Sequence, residues 1–122
     1  MPASVKVDPS KKLFIIRMEG KITADDLKKL ARNLKNHPQF NPTFDRLIDL
    51  SAIEKMEISS EVVRQLAVSS ETTFDDSSRR AIVASSDFMY GISRMYQTIT
   101  NRLKQTRVFR TIEEARQWLE EE

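Results

Sequence analysis

The stretch Ala81-Ile82-Val83-Ala84-Ser85-Ser86-Asp87-Phe88 changes character halfway along. Its first four residues are apolar without a polar alternation, which suits a strand covered on both faces. Ser85-Ser86-Asp87 then supplies side-chain oxygens of the kind that cap a helix start. Phe88, Ile92, Met95, Ile99 and Leu103 follow at helical spacing. A buried strand running directly into a capped helix is the repeating unit of an α/β sheet.

The same unit recurs on either side. Leu47-Ile48-Asp49-Leu50 reads as another buried strand. Residues 51–57 then connect it to a helix capped by Ser59 or Ser60, with Val62, Val63, Leu66 and Ala67 facing inward. Polar residues 69–78 end that helix in a loop. Nearer the start, Val5 and Val7 alternate with Lys6 and Asp8 as a half-exposed strand. Pro9-Ser10-Lys11 turns the chain into the covered run Leu13-Phe14-Ile15-Ile16, which Gly20 closes. Thr23 caps a first helix whose positive end meets Asp25 and Asp26. Ile22 and Leu27 form a hydrophobic staple there. Leu27, Leu30, Ala31 and Leu34 make its apolar stripe, and Pro38 stops it near His37. Toward the other end, Val108-Phe109 is a short strand, and Thr111-Ile112-Glu113-Glu114 is a capping box. The helix it opens docks through Ile112, Ala115, Trp118 and Leu119.

The order ββαβαβαβα predicts one α/β domain over residues 1–122. A hairpin leads into strands joined by right-handed crossovers, so the sheet is mixed but mostly parallel.

Composition narrows the function classes. At 39% hydrophobic and 31% charged residues the chain is an ordinary globular protein. A formal net charge of +2 is too small to argue for a nucleic-acid partner. The pI near 9.0 keeps small anionic partners open. The absence of cysteine removes disulfides, thiolate zinc sites and cysteine nucleophiles, and fits a reducing compartment. Residues 1–12 lack the apolar core of a signal peptide. No apolar run approaches the roughly 20 residues that span a bilayer. The expectation is a cytoplasmic chain whose membrane contact, if it has one, is peripheral. Gly20 and Gly91 are the only glycines, so Walker-type and dinucleotide fingerprints are absent.

Several of these segments together resemble the SpoIIAA-like family, which is related to STAS domains. They are the opening strand with Gly20, the helix at Thr23, Leu47-Ile48-Asp49-Leu50-Ser51, Arg80-Ala81-Ile82-Val83, and Val108 through Ala115 with Trp118-Leu119. The resemblance implies an α/β fold, and some members of the family look like carriers of apolar ligands or proteins that touch membranes. Anti-sigma-factor antagonists of the wider family carry a pattern like D-L-S-x-V-x-x-M-D-S-S-G, in which a serine opening the second helix is phosphorylated. The matching stretch here is Asp49-Leu50-Ser51-Ala52-Ile53-Glu54-Lys55-Met56-Glu57-Ile58-Ser59-Ser60. Glu57 replaces the aspartate, Ile58 stands where the phosphorylated serine belongs, and Ser60 stands at the glycine. A shift of one residue brings Ser59 and Ser60 into place as phosphorylation candidates, followed by Glu61. A negative charge beside such a site repels the phosphorylated form.

Two groups of residues are candidates for a binding site. Open α/β sheets bind ligands beyond the carboxyl ends of their strands. Ser51, Ser59, Ser60, Ser85 and Ser86 fall near such ends, where helix N-termini attract anions. The alternative role for these serines is simply to cap helices and close turns, which the lack of nearby glycine favours. The second group is Met56 with the long helix's Met89, Tyr90 and Tyr96. Methionine adapts to irregular apolar shapes, and tyrosine carries one polar end. These side chains suit an apolar pocket, a membrane interface or a dimer contact as well as a plain core. Arg102, Lys104 and Arg107 continue this helix as a basic cluster that suits anionic lipid or bulk solvent. Asp49 reads as an acceptor for N–H groups of the following loop. His37, the only histidine, faces a helix end. No catalytic constellation, metal site or cofactor is expected.

The sequence thus points to a non-enzymatic binding or regulatory domain: a carrier or sensor of a small apolar or amphipathic molecule at a membrane surface. The alternative is a STAS-type module that binds a protein partner under control of serine phosphorylation. Apolar residues beyond the core's needs also suit a homodimer.

Overall fold

The computed structural model describes residues 2–75, 77–99 and 105–121. The elements run β1 (Ala3–Asp8), β2 (Leu13–Thr23), α1 (Ala24–Lys35), β3 (Asp45–Glu57), α2 (Ser60–Thr73), β4 (Arg80–Val83), α3 (Asp87–Ile99), β5 (Thr106–Phe109) and α4 (Ile112–Glu120). This is the predicted ββαβαβαβα order.

The strands form one sheet in the order β1-β2-β3-β4-β5. β1 pairs antiparallel to β2, and the remaining neighbours are parallel. Each parallel step moves one strand in the same direction, so right-handed crossovers place α1, α2 and α3 on one face. α4 packs on the other. Alternation along the central strands fills both layers. Leu13, Leu47, Ala81 and Val83 meet Ala115 and Trp118 of α4. Phe14, Ile16, Met18, Ile22 and Ile82 point to the three-helix side. The covered run at 13–16 is therefore buried on both faces, as its unbroken apolarity predicts.

Local caps agree with the sequence. Thr23 and Asp26 form a full capping box at the start of α1. Ile22 and Leu27 lie in one buried cluster. Ser59 Oγ accepts from the Val62 N–H (3.3 Å), and Ser86 Oγ accepts from the Met89 N–H (3.2 Å). Thr111 Oγ1 accepts from the Glu114 N–H and donates to the Glu114 carboxylate.

Several expectations need correction. Residues 51–57 are not a connection but the second half of β3. Two register shifts each insert one extra β3 residue against β2, between Asp49 and Ala52 and between Ile53 and Lys55. Bulges raise local twist, so β2 and β3 leave the sheet as a curled ribbon. Charged Glu54 and Lys55 on its exposed side mask the strand pattern. Gly20 likewise does not end β2 but bends it, with φ +71°. α2 runs to Thr73, past the expected loop. Buried Phe74 follows it. On α3, Phe88 is 62% exposed. Three consecutive apolar residues, 88–90, leave the helix phase undetermined, and packing selects the stripe through Met89 and Ser93. Arg107 lies on β5, not on the helix, 5.7 Å from the Phe109 ring and 5.9 Å from that of Trp118. Arg102, Leu103 and Lys104 of the expected basic and apolar positions lie outside the described residues.

Candidate functional site

Phe14, Arg46, Arg80 and Thr106 occupy one row across four neighbouring strands. All four project to the three-helix side, and all are buried. A guanidinium in such a place requires aromatic or hydrogen-bonding cover. Arg46 lies 3.6 Å from the centroid of the Phe74 ring. Arg80 donates to the Tyr96 hydroxyl at 2.7 Å, and its guanidinium carbon lies 5.6 Å from the same ring. Cation–π contact of this kind stabilises a desolvated guanidinium by about 2 kcal/mol.

Beyond this row the side-chain layer does not close. α2 packs against α3. Beneath it lies a cavity of about 440 Å³. Ile16 and Met18 of β2, Ile48 of β3 and Ile82 of β4 form its floor, while Leu27 and Leu30 of α1 and Val63 and Leu66 of α2 form its walls. The exposed residues Arg32, Lys35 and Ser69 mark its opening between α1 and α2. The curled ribbon closes one end with Met56, and Ile58 follows it. Polar groups are few and grouped: Arg46, Ser93 and Tyr96 lie on the side of the buried row.

The sequence candidates divide between two places. Met56, Met89 and Tyr96 line the cavity. Ser85 and Ser86 lie instead past the carboxyl end of β4, beside Ser51 at the first bulge of β3. There Ser85 Oγ donates to the Ser51 carbonyl at 3.4 Å, and Arg110 donates to the Ser85 carbonyl at 3.2 Å. Tyr90 belongs to this second place, with the Arg110 guanidinium 4.1 Å from its ring centroid and 3.0 Å from Asp87. Ser59 and Ser60 follow the far end of β3, and Ser59 caps α2 through the Val62 N–H.

Asp49 behaves as the sequence suggests. One carboxylate oxygen accepts from both the backbone N–H and the hydroxyl of Ser51, and the other lies 4.0 Å from Arg17. His37 Nδ1 accepts from the Gln39 N–H at 3.1 Å. Glu57 bridges Lys21 and Lys55 on the ribbon, at 3.5 and 3.2 Å. The Lys55 hydrogen bond and the Lys21 charge hold its carboxyl below the ordinary glutamate range. Among the described residues, no cluster of three histidine, aspartate or glutamate side chains is placed to hold a metal ion. Nor is any helix among them long and apolar enough to cross a membrane.

Sequence reasoning missed the buried row and Ser93. An arginine at a strand start reads as a solvent-facing terminus, and a serine within an apolar helix reads as neutral filler. The available signal was Arg80 directly abutting an unbroken apolar strand, a position without room for a solvated charge.

Comparison with known proteins places this geometry in context. A family model described as SpoIIAA-like matches residues 13–120. An uncharacterised DUF3478-family protein with a SpoIIAA-like fold from Shewanella loihica PV-4 superposes with a TM-score of 0.67 at 17% identity, covering 96% of this chain and 93% of that one. The anti-sigma factor antagonist SpoIIAA in its unphosphorylated form superposes with a TM-score of 0.63 at 12% identity, covering 96% of each chain. At these identities the likeness is one of fold. No curated protein matches the sequence significantly.

Proposed function

This chain belongs to the SpoIIAA-like family, and from that premise we propose that it is a non-enzymatic binding domain that holds one small apolar or amphipathic molecule between α1, α2 and the sheet. The observation that carries this reading is the apolar cavity of about 440 Å³. Small-molecule sites typically measure about 300–1,000 Å³, with mostly apolar walls and a few convergent polar groups. An apolar occupant would take these walls out of contact with water, which is the driving force for its binding.

The test is titration with the neutral dye N-phenyl-1-naphthylamine, whose fluorescence rises in apolar sites. Saturable binding at one dye per chain is expected, and Leu66→Trp, which fills the space beneath α2, weakens it at least tenfold. Absence of saturable binding, or full binding by a folded Leu66→Trp variant, contradicts the reading.

A second reading is favoured by the exposure of Ser59 and Ser60 at the start of α2. As a STAS-type interaction module, the protein would be phosphorylated there, where the helix N-terminus stabilises a phosphate. A phosphate mass on the peptide carrying Ser59 and Ser60, in protein isolated from its own host, supports this reading. An unmodified peptide after exposure to the host's serine kinases removes it.

A further inference from the structure

Ser93 is only 2% exposed, and its hydroxyl has no hydrogen-bond partner. It sits midway along α3 and lines the cavity. Buried hydroxyls are nearly always satisfied, because an unmet one retains its full desolvation cost. A mid-helix serine ordinarily meets this need by bonding back to the carbonyl one turn earlier, and Ser93 does not. Tyr96 lines the same cavity three residues on, which puts both polar groups on one helix face. The Tyr96 hydroxyl accepts from Arg80 and keeps its own O–H as a donor.

Resting on the cavity reading above, we propose that the ligand carries a single neutral hydrogen-bonding group, a hydroxyl or carbonyl, on an otherwise apolar body, and that Ser93 Oγ is the group that recognises it. A serine hydroxyl both donates and accepts, so it pairs with either function. Apart from Arg46 and Tyr96 beside Ser93, and Arg32, Lys35, Ser69 and Thr73, the lining is apolar, so a polar group placed against the isoleucine, methionine and leucine walls would lose its water without gaining a partner. This restricts the ligand to molecules polar at one end only. Ser93 is a specificity residue in this scheme. The apolar walls supply most of the affinity and Ser93 sets the orientation.

Calorimetric titration with 1-naphthol and 1-methylnaphthalene tests this, because the two differ only by hydroxyl against methyl. Wild-type protein is expected to prefer 1-naphthol about tenfold. Ser93→Ala removes most of that preference while N-phenyl-1-naphthylamine still binds. Comparing the two ligands' ratio between proteins cancels their different solubilities. Ser93→Cys, similar in size but a poor hydrogen bonder, gives the same loss and serves if the alanine variant folds poorly. Equal binding of both ligands by wild type overturns the inference, as does a preference that survives both substitutions. In that outcome dye binding still stands, and the cavity reading with it. If the dye itself fails to bind wild type, both readings fall together.

Discussion

At the scale of single residues, Arg79 ties the sheet to the end of α4. Its guanidinium donates to the carbonyls of Trp118, Leu119 and Glu121 at the end of α4, and reaches Asp45 at 3.2 Å. These carbonyls lie at the C-terminus of α4, where a cation suits the negative end of the helix dipole. Arg79→Ala should lower unfolding free energy by about 2 kcal/mol, the range for hydrogen bonds to a charged group. Arg79→Lys should recover less than half, because an ammonium cannot present the same planar fork. Urea denaturation measures both; an alanine variant as stable as wild type contradicts this role. Asp26 gives a pH-dependent counterpart. The Thr23 backbone N–H and hydroxyl hold its carboxyl below the ordinary aspartate range. Its folded pKa is thus lower than the unfolded value of about 3.9. The stabilisation is fully present above that value and is lost as pH falls from about 3.9 through the lower folded pKa. Asp26→Asn should flatten the acid limb of stability below about pH 4, and an unchanged slope between wild type and variant there contradicts the capping account.

At the scale of elements, the caps and the covered strands are legible in the sequence because their causes are local. Thr23, Ser59, Ser86 and Thr111 each cap the helix that their neighbours predict. The ribbon is not legible, because β3 keeps its strand form by pairing with β2 through two bulges, a partner distant in sequence. The phase of α3 is hidden for a related reason. Its apolar residues surround the helix, and only tertiary packing distinguishes Met89 from Phe88. The cavity depends on how α1 and α2 sit over the sheet, which no local pattern encodes, although Met56, Met89 and Tyr96 were legible as residues suited to it. The two glycines differ in the same way. Gly20 has φ +71° within the ribbon, and Gly91 sits in α3 with open space where a Cβ would go. Gly91→Ala should therefore stabilise the protein by about 0.5–1 kcal/mol through helix propensity. Gly20→Ala should destabilise it by roughly 1–2 kcal/mol, the cost of a left-handed residue with a Cβ. Thermal unfolding of the two variants should shift in opposite directions, and shifts of the same sign contradict the assignment.

Across the whole molecule, the two layers differ in how completely they close. On the α4 side, Trp118 and Ala115 fill the space over Leu47, Ala81 and Val83. On the other side, closure is complete only near α1's end, where Phe14, Phe40, Phe44 and Phe74 pack with ring centroids 5.6–6.1 Å apart. Phe14→Ala should cost about 3–5 kcal/mol because Phe14 is fully buried in that cluster. The cavity next to it is where the fold leaves apolar surface without protein cover. This asymmetry favours the binding reading over a purely structural one: α4 covers its side of the sheet, and the other layer keeps an apolar chamber with polar groups at its mouth and beside the buried row.

The most direct measurement is native mass spectrometry of the protein purified from its own host, followed by denaturing extraction of whatever accompanies it. The account predicts one small molecule per chain, apolar over most of its length and released on denaturation. A protein that carries nothing when isolated and takes up no apolar probe in vitro would contradict it.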